Sequence, residues 1–217
     1  MEPSPFSPRG VFEMLLALRS LSPREGWIYL CLQMRNGLSP RGCLNPPLPQ
    51  VVRNIVFVCH GNIIRSPFAA ALFPRLLPTP LRDRILTASA GLHTTPGKPA
   101  DPRAIQLAKE FGVSLDLHQT QRLTPALVEG TDLILVMDTL NVASFQARYP
   151  GARSKLFMLG AFSGPVETRR PDIQDPYNGD LDDVRRCYRT ISQRLSSLAD
   201  ALIHRAVAVP SPDVPSR

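Results

Sequence analysis

NIVFVCHGNIIRSP, residues 54–67, is the stretch that decides the fold of this chain. Its first five residues, 54–58, form an apolar and largely β-branched run, which is typical of a buried strand in a parallel sheet. Ser66 and Pro67 then predict the start of a helix, with Ser66 as the N-cap and Pro67 at the first helical position. A strand that passes into a helix through a short loop is a building unit of α/β folds.

The same alternation of strands and helices continues along the chain. Pro74 should end or kink the first helix, and a capping aspartate, Asp101, begins the second, which Gly112 closes. Strands separated by helices imply a parallel sheet with helices on both faces, and such sheets bind ligands at the carboxyl ends of their strands. The predicted strands span 54–58, 84–90, 132–137 and 155–159, and the later helices span 101–111, a short segment from 124, 139–149 and 181–206.

Composition limits the class of protein. The chain has 217 residues, of which 43% are hydrophobic, so it can build one core and is too apolar for wholesale disorder. Its apolar runs fall short of the roughly 20 residues of a membrane-spanning helix and it shows no secretory signal pattern, which predicts a cytoplasmic protein without membrane insertion. The net charge of +7 is spread along the chain, so we interpret it as a solvated surface and expect no nucleic-acid partner.

The cysteines indicate neither a metal site nor a disulfide scaffold. Cys31, Cys43, Cys59 and Cys187 contain no Cys-x-x-Cys pair and have no histidine spacing suited to zinc. Four cysteines in a chain of this length fit a reducing compartment better than a disulfide framework.

The first fifty residues differ from the rest because they are rich in proline. We predict that 1–50 is an N-terminal arm, partly disordered or docking, that 51–209 is the main domain, and that 210–217 is a disordered tail. Within the arm, 11–21 and 26–34 could each form a few helical turns, and neither could bury a core alone. The arm is therefore ordered only if it docks on its own domain or on a partner; the alternative is an extension without a role.

The loop after the first strand has the composition of an anion site. A segment between a strand end and a helix start presents successive backbone N–H groups, and the helix N-terminus adds positive potential. Gly61 and Asn62 tolerate the unusual dihedral angles of a tight loop. Cys59 in that field is expected to be held as a thiolate, and Arg65 offers a planar fork that matches phosphate oxygens. The alternative is a buried structural cysteine at the end of a strand.

A thiolate nucleophile also needs an acid that protonates the leaving group. The segment 171–177, PDIQDPY, lies in a loop before the last helix and supplies Asp175 as the candidate acid. Because Asp-Pro is a common turn, the alternative is a purely structural Asp175.

CHGNIIRSP at 59–67 together with DPY at 175–177 resembles the low-molecular-weight protein tyrosine phosphatase family. The segments 89–91, 97–102 and 132–138 agree, and the short segment 91–97 is more similar to the bacterial branch associated with capsule and exopolysaccharide export than to the animal branch. The resemblance covers 53–205. It implies a four-stranded parallel sheet, no metal or cofactor, and a two-step hydrolysis of phosphotyrosine through a phosphocysteine. The implied substrate is a phosphotyrosine-bearing protein, such as a tyrosine kinase of polysaccharide export.

The resemblance also assigns roles by motif. Cys59 is similar to the nucleophile that attacks phosphorus, and Arg65 to the residue that binds the phosphoryl oxygens. Asp175 is similar to the acid that protonates the tyrosyl oxygen and later activates water, and Tyr177 to a wall for the substrate ring. Ser66 is similar to the hydroxyl that hydrogen-bonds the thiolate. The loop amides implied in phosphoryl binding are those of His60, Gly61, Asn62, Ile63, Ile64 and Ser66, and Asn62 also holds the loop's shape.

The chain departs from the family pattern at three places. Many relatives have a second cysteine immediately before the arginine, where this chain has Ile64, so that redox switch is absent from the loop. The segment 92–96 lacks the aromatic residue that many members place opposite the tyrosine of the DPY motif, which leaves the substrate preference open. The proline-rich arm has no counterpart in the family pattern.

Three other functions are the alternatives to a phosphatase. A thiol-coupled arsenate reductase shares the fold and the first loop, but it needs two further cysteines and only Cys187 lies in the matching domain. A phosphate-binding regulatory module without catalysis is disfavoured by the intact Cys59, Arg65 and Asp175. A P-loop nucleotide site is excluded because the Gly-x4-Gly-Lys-Ser/Thr pattern is missing.

Overall fold

A four-stranded parallel sheet forms the centre of the structure, a computed structural model that describes residues 18–19, 21–38, 45–162 and 171–208. The order of the strands is β2-β1-β3-β4. The chain adds β2 on one side of β1 and then β3 and β4 on the other side, so the strand order changes direction between β1 and β3. The carboxyl ends of these two strands flank the crevice at which such sheets bind ligands. The predicted α/β fold with four parallel strands is confirmed. The strands are β1 Asn54–Cys59, β2 Leu86–Gly91, β3 Leu133–Val136 and β4 Leu156–Met158.

Helices cover both faces of this sheet, as predicted. The long last helix is amphipathic, and within the described ranges no helix is both long and apolar enough to cross a lipid bilayer. The helices are α1 Pro23–Leu38, α2 Arg65–Leu76, α3 Thr79–Arg82, α4 Pro102–Glu110, α5 Pro125–Glu129, α6 Thr139–Arg148 and α7 Leu181–Ala208, and two 3₁₀ helices span Pro150–Lys155 and Leu159–Ala161.

Alternation along β1 divides the core into two layers. Ile55 and Phe57 point to one face of the sheet, where they join a cluster that includes buried residues of α2, α4 and α7. Val56 and Val58 point to the other face and join a cluster that includes residues of α1 and α6. Successive side chains of a strand point to opposite faces, so a strand buried on both sides must be apolar throughout.

Helix α1 lies in the region that the sequence predicts as an arm, and it packs against α6. Tyr29 and Leu32 are buried and belong to the second cluster. Burying a large apolar side chain stabilises a fold by about 1.5–3 kcal/mol, so these residues hold α1 on the domain. The predicted helical segment 26–34 lies within α1. Residues 1–17 and the predicted tail 210–217 lie outside the described residues, and the domain boundary at 50 stays a prediction.

Several predicted element ends differ from the structure by one or two residues, and for two of them the physical cause is clear. Ile64 rather than Ser66 is the N-cap of α2, and the helix begins at Arg65, because the Ser66 hydroxyl is bound inside the loop instead. Strand β2 begins at Leu86 rather than at 84, because the preceding amides of Arg84 and Ile85 donate to Leu81 O in a turn after α3. Pro74 lies inside the last turn of α2, which ends at Leu76.

Candidate active site

The loop between β1 and α2 turns its backbone carbonyls outward, toward the surrounding segments. The peptide bonds of this loop are trans, so the N–H that follows each outward carbonyl points the opposite way, into the loop. Converging N–H groups at a helix N-terminus form a cradle for an anion. The carbonyls of Cys59, His60, Asn62, Ile63 and Ile64 accept hydrogen bonds from Leu92 N (3.0 Å), His93 N (2.8 Å), His118 Nε2 (2.8 Å), Asp101 N (3.0 Å) and Tyr188 Oη (3.3 Å), respectively.

Asn62 holds the shape of this loop from its centre. Its φ of 56° lies in the left-handed region, which Asn tolerates better than most residues, whereas the φ of Gly61 is not positive. The buried Asn62 amide donates to Ser66 Oγ and to Ser89 Oγ, both at 2.9 Å, and its oxygen accepts from Gln121 N at 2.9 Å. Gly91 is required nearby, since a Cβ there would lie 2.8 Å from Thr94 and 3.1 Å from Asn62.

Cys59 sits at the base of the cradle. Its Sγ lies 3.0 Å from Ser66 Oγ and 3.3 Å from the backbone N of Asn62. Because the Asn62 amide already donates to the Ser66 oxygen, the Ser66 hydroxyl can turn its own proton to the sulfur. Two donors therefore point at Sγ.

Arg65 is buried, with 2% of its side chain exposed, and it joins three segments that are distant in sequence. Its guanidinium donates to Asp138 at 2.5 Å, to the carbonyl oxygen of Ile173 at 3.1 Å, and to Asp175. Burial opposes its charge, but the carboxylates of Asp138 and Asp175 outweigh burial and raise the pKa of Arg65. Arg65 is therefore a permanent cation at the edge of the cradle.

Asp175 is the partly exposed member of this ion-pair network, with 41% of its side chain accessible. Its Oδ2 accepts from Arg65 and its Oδ1 from the backbone N of Tyr177 at 3.2 Å. Asp172, three residues earlier, is instead tied to the start of α6, where it accepts from Thr139 N at 2.5 Å and Thr139 Oγ1 at 2.8 Å. Of the two carboxylates, Asp175 is the one beside Arg65.

Arg103, at the start of α4, anchors the segment that carries Asp175. It donates to the carbonyl oxygens of Tyr177 at 3.0 Å and Gly179 at 2.5 Å. Asp101 fixes the guanidinium through both of its oxygens, at 2.9 Å and 2.7 Å, and also caps α4. The position of the acid segment thus depends on an ion pair in another part of the chain.

The structure brings together most of the site residues predicted from the sequence. Cys59, Asn62, Ile64, Arg65 and Ser66 are buried in the loop, Gly61 and Ile63 are half-buried, and His60 is exposed. Tyr177 lies close to Asp175 in sequence but is 57% exposed, and no described contact joins its ring to the loop. Sequence reasoning missed Ser89, Arg103, His118, Gln121 and Asp138, whose roles arise from contacts between distant segments.

A cavity of about 440 Å³ lies between the acid segment and α7. Asp175, Pro176 and Cys187 line it, but none of the residues 59–66 does, so it is distinct from the cradle. Burial raises the pKa of the Cys187 thiol to about 12. In the part of the chain that the structure describes, no three His, Cys, Asp or Glu side chains are grouped so that they could hold a metal ion.

Comparison with known proteins agrees with this geometry. Residues 54–208 match the family model of the low molecular weight phosphotyrosine protein phosphatases. The chain is 38% identical over 131 residues to the probable low molecular weight protein-tyrosine-phosphatase EpsP of Ralstonia nicotianae, an alignment that covers 60% of this chain and 83% of EpsP.

Two solved structures show the same fold over almost their whole length. Vibrio vulnificus Wzb in complex with benzylphosphonate superposes with a TM-score of 0.61 at 33% identity, covering 70% of this chain and 99% of Wzb. The YwlE arginine phosphatase from Geobacillus stearothermophilus superposes with a TM-score of 0.65 at 27% identity, covering 74% of this chain and 99% of YwlE. The chain belongs to the low molecular weight phosphotyrosine protein phosphatase family, and it is a phosphatase of the bacterial branch associated with exopolysaccharide export.

Proposed function

We propose that the chain hydrolyses phosphotyrosine in proteins through a phosphocysteine intermediate. The observation that carries the proposal is the convergence of Cys59, Arg65 and Asp175 at the carboxyl end of the sheet, although Asp175 lies 110 residues after Arg65 in sequence. This set supplies a nucleophile, a cation for the phosphoryl oxygens and an acid for the leaving group.

In the first step, the Cys59 thiolate attacks phosphorus and the bond from phosphorus to the tyrosyl oxygen breaks. Asp175 gives its proton to that oxygen, so tyrosine leaves as the neutral phenol. The inward N–H groups of the loop and the Arg65 guanidinium bind the equatorial oxygens, where negative charge is held in the transition state.

In the second step, water attacks the phosphocysteine. Asp175, now a carboxylate, takes a proton from that water, phosphate departs and the thiolate of Cys59 is restored. The hydroxyl of Ser66, 3.0 Å from Sγ, stabilises the thiolate as a leaving group.

The identity of the physiological substrate is a separate part of the proposal. The chain's likeness to the bacterial branch supports a tyrosine kinase of polysaccharide export as the phosphoprotein. The cytoplasm is the compartment that we propose, because a free Cys59 thiolate persists under reducing conditions. Phosphoarginine is the second candidate substrate, since structures of arginine phosphatases superpose with similar scores.

An assay of the purified chain on four compounds tests the function. We expect turnover of p-nitrophenyl phosphate and phosphotyrosine peptides, and no turnover of phosphoarginine or of arsenate with thiols. Cys59→Ser should abolish turnover, whereas Cys31→Ser, the same change at an exposed cysteine, should leave it unchanged. Activity retained by Cys59→Ser contradicts the mechanism, and faster hydrolysis of phosphoarginine than of phosphotyrosine contradicts the substrate class.

A further inference from the structure

Glu25, in the first turn of α1, carries a buried carboxylate oxygen that helix capping does not explain. Its Oε2 accepts from Ser22 N at 2.9 Å and Ser22 Oγ at 2.7 Å, which completes a capping box at the start of α1. Glu25 as a whole is 4% exposed, and its Oε1 has no hydrogen-bond partner of good geometry among the described residues. A buried carboxylate oxygen is costly unless a positive charge faces it.

Two basic groups of the phosphatase domain face Oε1, and the hydroxyl of Ser144 lies beside the same carboxylate. Oε1 lies 3.6 Å from a guanidinium nitrogen of Arg148, at the end of α6, and 3.5 Å from Nε2 of His93. The same Arg148 nitrogen lies 3.0 Å from Nδ1 and 2.9 Å from Nε2 of His93. Because a guanidinium only donates, the ring of His93 accepts this hydrogen bond as a neutral imidazole. The carboxylate of Glu25 thereby balances the positive charge of Arg148, the residue that hydrogen-bonds the ring of His93.

Arg148 and His93 in turn connect to the loop between β1 and α2, which forms the anion cradle and is called the phosphate-binding loop below. Arg148 also donates to the carbonyl oxygen of Leu92, whose own N–H donates to Cys59 O at 3.0 Å. The N–H of His93 donates to His60 O at 2.8 Å. The rings of His93 and His60 are stacked, with centroids 4.6 Å apart and planes at 14°.

We propose that Glu25 is a positioning residue for the phosphate-binding loop: through Arg148 and His93 it fixes the backbone and the ring of His60, the residue that follows the nucleophile. The arm that the family pattern lacks is then part of the site's supporting structure. The effect on catalysis rests on the proposed function, whereas the effect on anion binding and on the His60 ring does not.

Glu25→Gln is the sharpest test, because the glutamine oxygen keeps the capping box while the side that faces Arg148 and His93 loses its charge and its acceptor oxygen. We expect the dissociation constant for inorganic phosphate and the KM for p-nitrophenyl phosphate to rise roughly three- to tenfold, the scale of coupling through a packed network. Arg24→Gln, an exposed change of charge on the same helix, is the matched control and should leave both unchanged.

Proton NMR of the histidine rings separates positioning from a merely structural role. The four histidines give resolvable signals, which His60→Ala and His93→Ala assign. The groups facing His93 are Glu25, Arg148, His60 and the hydroxyl of Ser144. Burial, Arg148 and His60 lower the pKa of His93, and Glu25 raises it through its charge and a hydrogen bond. In Glu25→Gln the pKa of His93 should therefore fall and the His60 signal should shift, while the melting temperature stays close to that of the wild type.

The proposal is overturned if Glu25→Gln is folded and its phosphate affinity, its KM and its His60 signal all equal those of the wild type. If Glu25→Gln melts at a much lower temperature and its phosphate affinity falls only as the unfolded fraction grows, Glu25 is structural and the proposal is likewise overturned. Should the wild type lack phosphatase activity, the proposed function fails, and the phosphate and NMR measurements still decide the role of Glu25.

Discussion

Asp138 Oδ2 lies 2.5 Å from a guanidinium nitrogen of Arg65, while Asp138 Oδ1 caps α6 by accepting from Asn141 N at 2.7 Å. One carboxylate thus connects the end of β3 to the start of α2, across the point where the strand order reverses. Since Arg65 is buried, this contact sets the direction of the guanidinium before any phosphoryl group arrives.

Removing the Asp138 carboxylate should destabilise the fold. Breaking a buried ion pair from one side leaves an uncompensated charge and costs about 3–5 kcal/mol, and here Asp175 compensates in part. We expect Asp138→Ala to lower the free energy of unfolding by several kcal/mol, as measured by urea denaturation. Asp138→Asn retains the helix cap and should therefore lower the free energy of unfolding by less than Asp138→Ala does. Equal stability of Asp138→Asn and the wild type would show that the ion pair contributes nothing.

The fold was largely predictable because its signals are local. Strands β1, β3 and β4 are short apolar runs, and Asp101 and Thr124 do cap their helices, since each accepts from a backbone N–H within three residues. Ser66 failed as a predicted cap because a tertiary partner competed for it: the Cys59 sulfur, brought near by the loop, takes the hydroxyl that would otherwise bind the helix end.

The site was predictable only where its residues stand in a recognisable motif, as in the loop and at Asp175 in the DPY segment. Residues 59–67 form a single loop, so their chemistry can be argued from spacing, whereas Asp138 and Arg103 act through partners 73 and about 75 residues away. Nor does any local pattern indicate that Glu25 faces His93, because that contact follows from the packing of α1 on α6.

Asp175→Asn should slow turnover according to the leaving group. A general acid contributes about 10²–10⁴-fold to the rate, and its contribution shrinks when the departing oxygen needs no proton. We therefore expect a large loss on phenyl phosphate and a small one on p-nitrophenyl phosphate, measured as kcat/KM for a series of aryl phosphates, because kcat/KM reports the step in which the leaving group departs. Asp172→Asn, at the carboxylate tied to Thr139, should show no such dependence. An equal loss on every leaving group in Asp175→Asn would instead indicate a structural Asp175.

The pair of Asp101 and Arg103 should make stability depend on pH in acid. The hydrogen bond from Arg103 leads the causes that lower the pKa of Asp101 below its usual 3.8. A carboxyl whose pKa is depressed by folding stabilises the fold above its unfolded pKa and loses that contribution as pH falls through its folded pKa. Asp101→Ala should thus cost about 1–2 kcal/mol at neutral pH, including the lost cap.

The difference between Asp101→Ala and the wild type should shrink as the pH falls from the usual 3.8 through the lower pKa of the folded chain, below which Asp101 is protonated in both folded and unfolded chains. Urea denaturation at neutral pH and in acid measures both values. Asp101→Asn, which keeps a cap but no charge, is the control and should differ from Asp101→Ala by the same amount at every pH. A difference between wild type and Asp101→Asn that does not change with pH would exclude the ion pair as the cause.

Oxidation should inactivate the enzyme with incomplete recovery. Peroxide converts a thiolate to a sulfenic acid, and only a neighbouring thiolate traps that acid as a disulfide before further peroxide gives the irreversible sulfinic acid. Ile64 stands immediately before Arg65, where many relatives have the trapping cysteine.

Burial raises the pKa of Cys187 to about 12, so its thiol stays protonated at neutral pH and reacts slowly. Cys31 is exposed on α1, no described contact joins it to the loop, and Cys43 lies outside the described residues. After inactivation by excess peroxide, we expect dithiothreitol to restore only a fraction of the activity on p-nitrophenyl phosphate.

Cys187→Ser and Cys31→Ser should behave like the wild type, and inorganic phosphate should protect all three by covering Cys59. Ile64→Cys should gain recovery, because it places a thiol beside the nucleophile. Full recovery of the wild type would contradict this reasoning, and mass spectrometry of the oxidised chain would then identify the trapping cysteine.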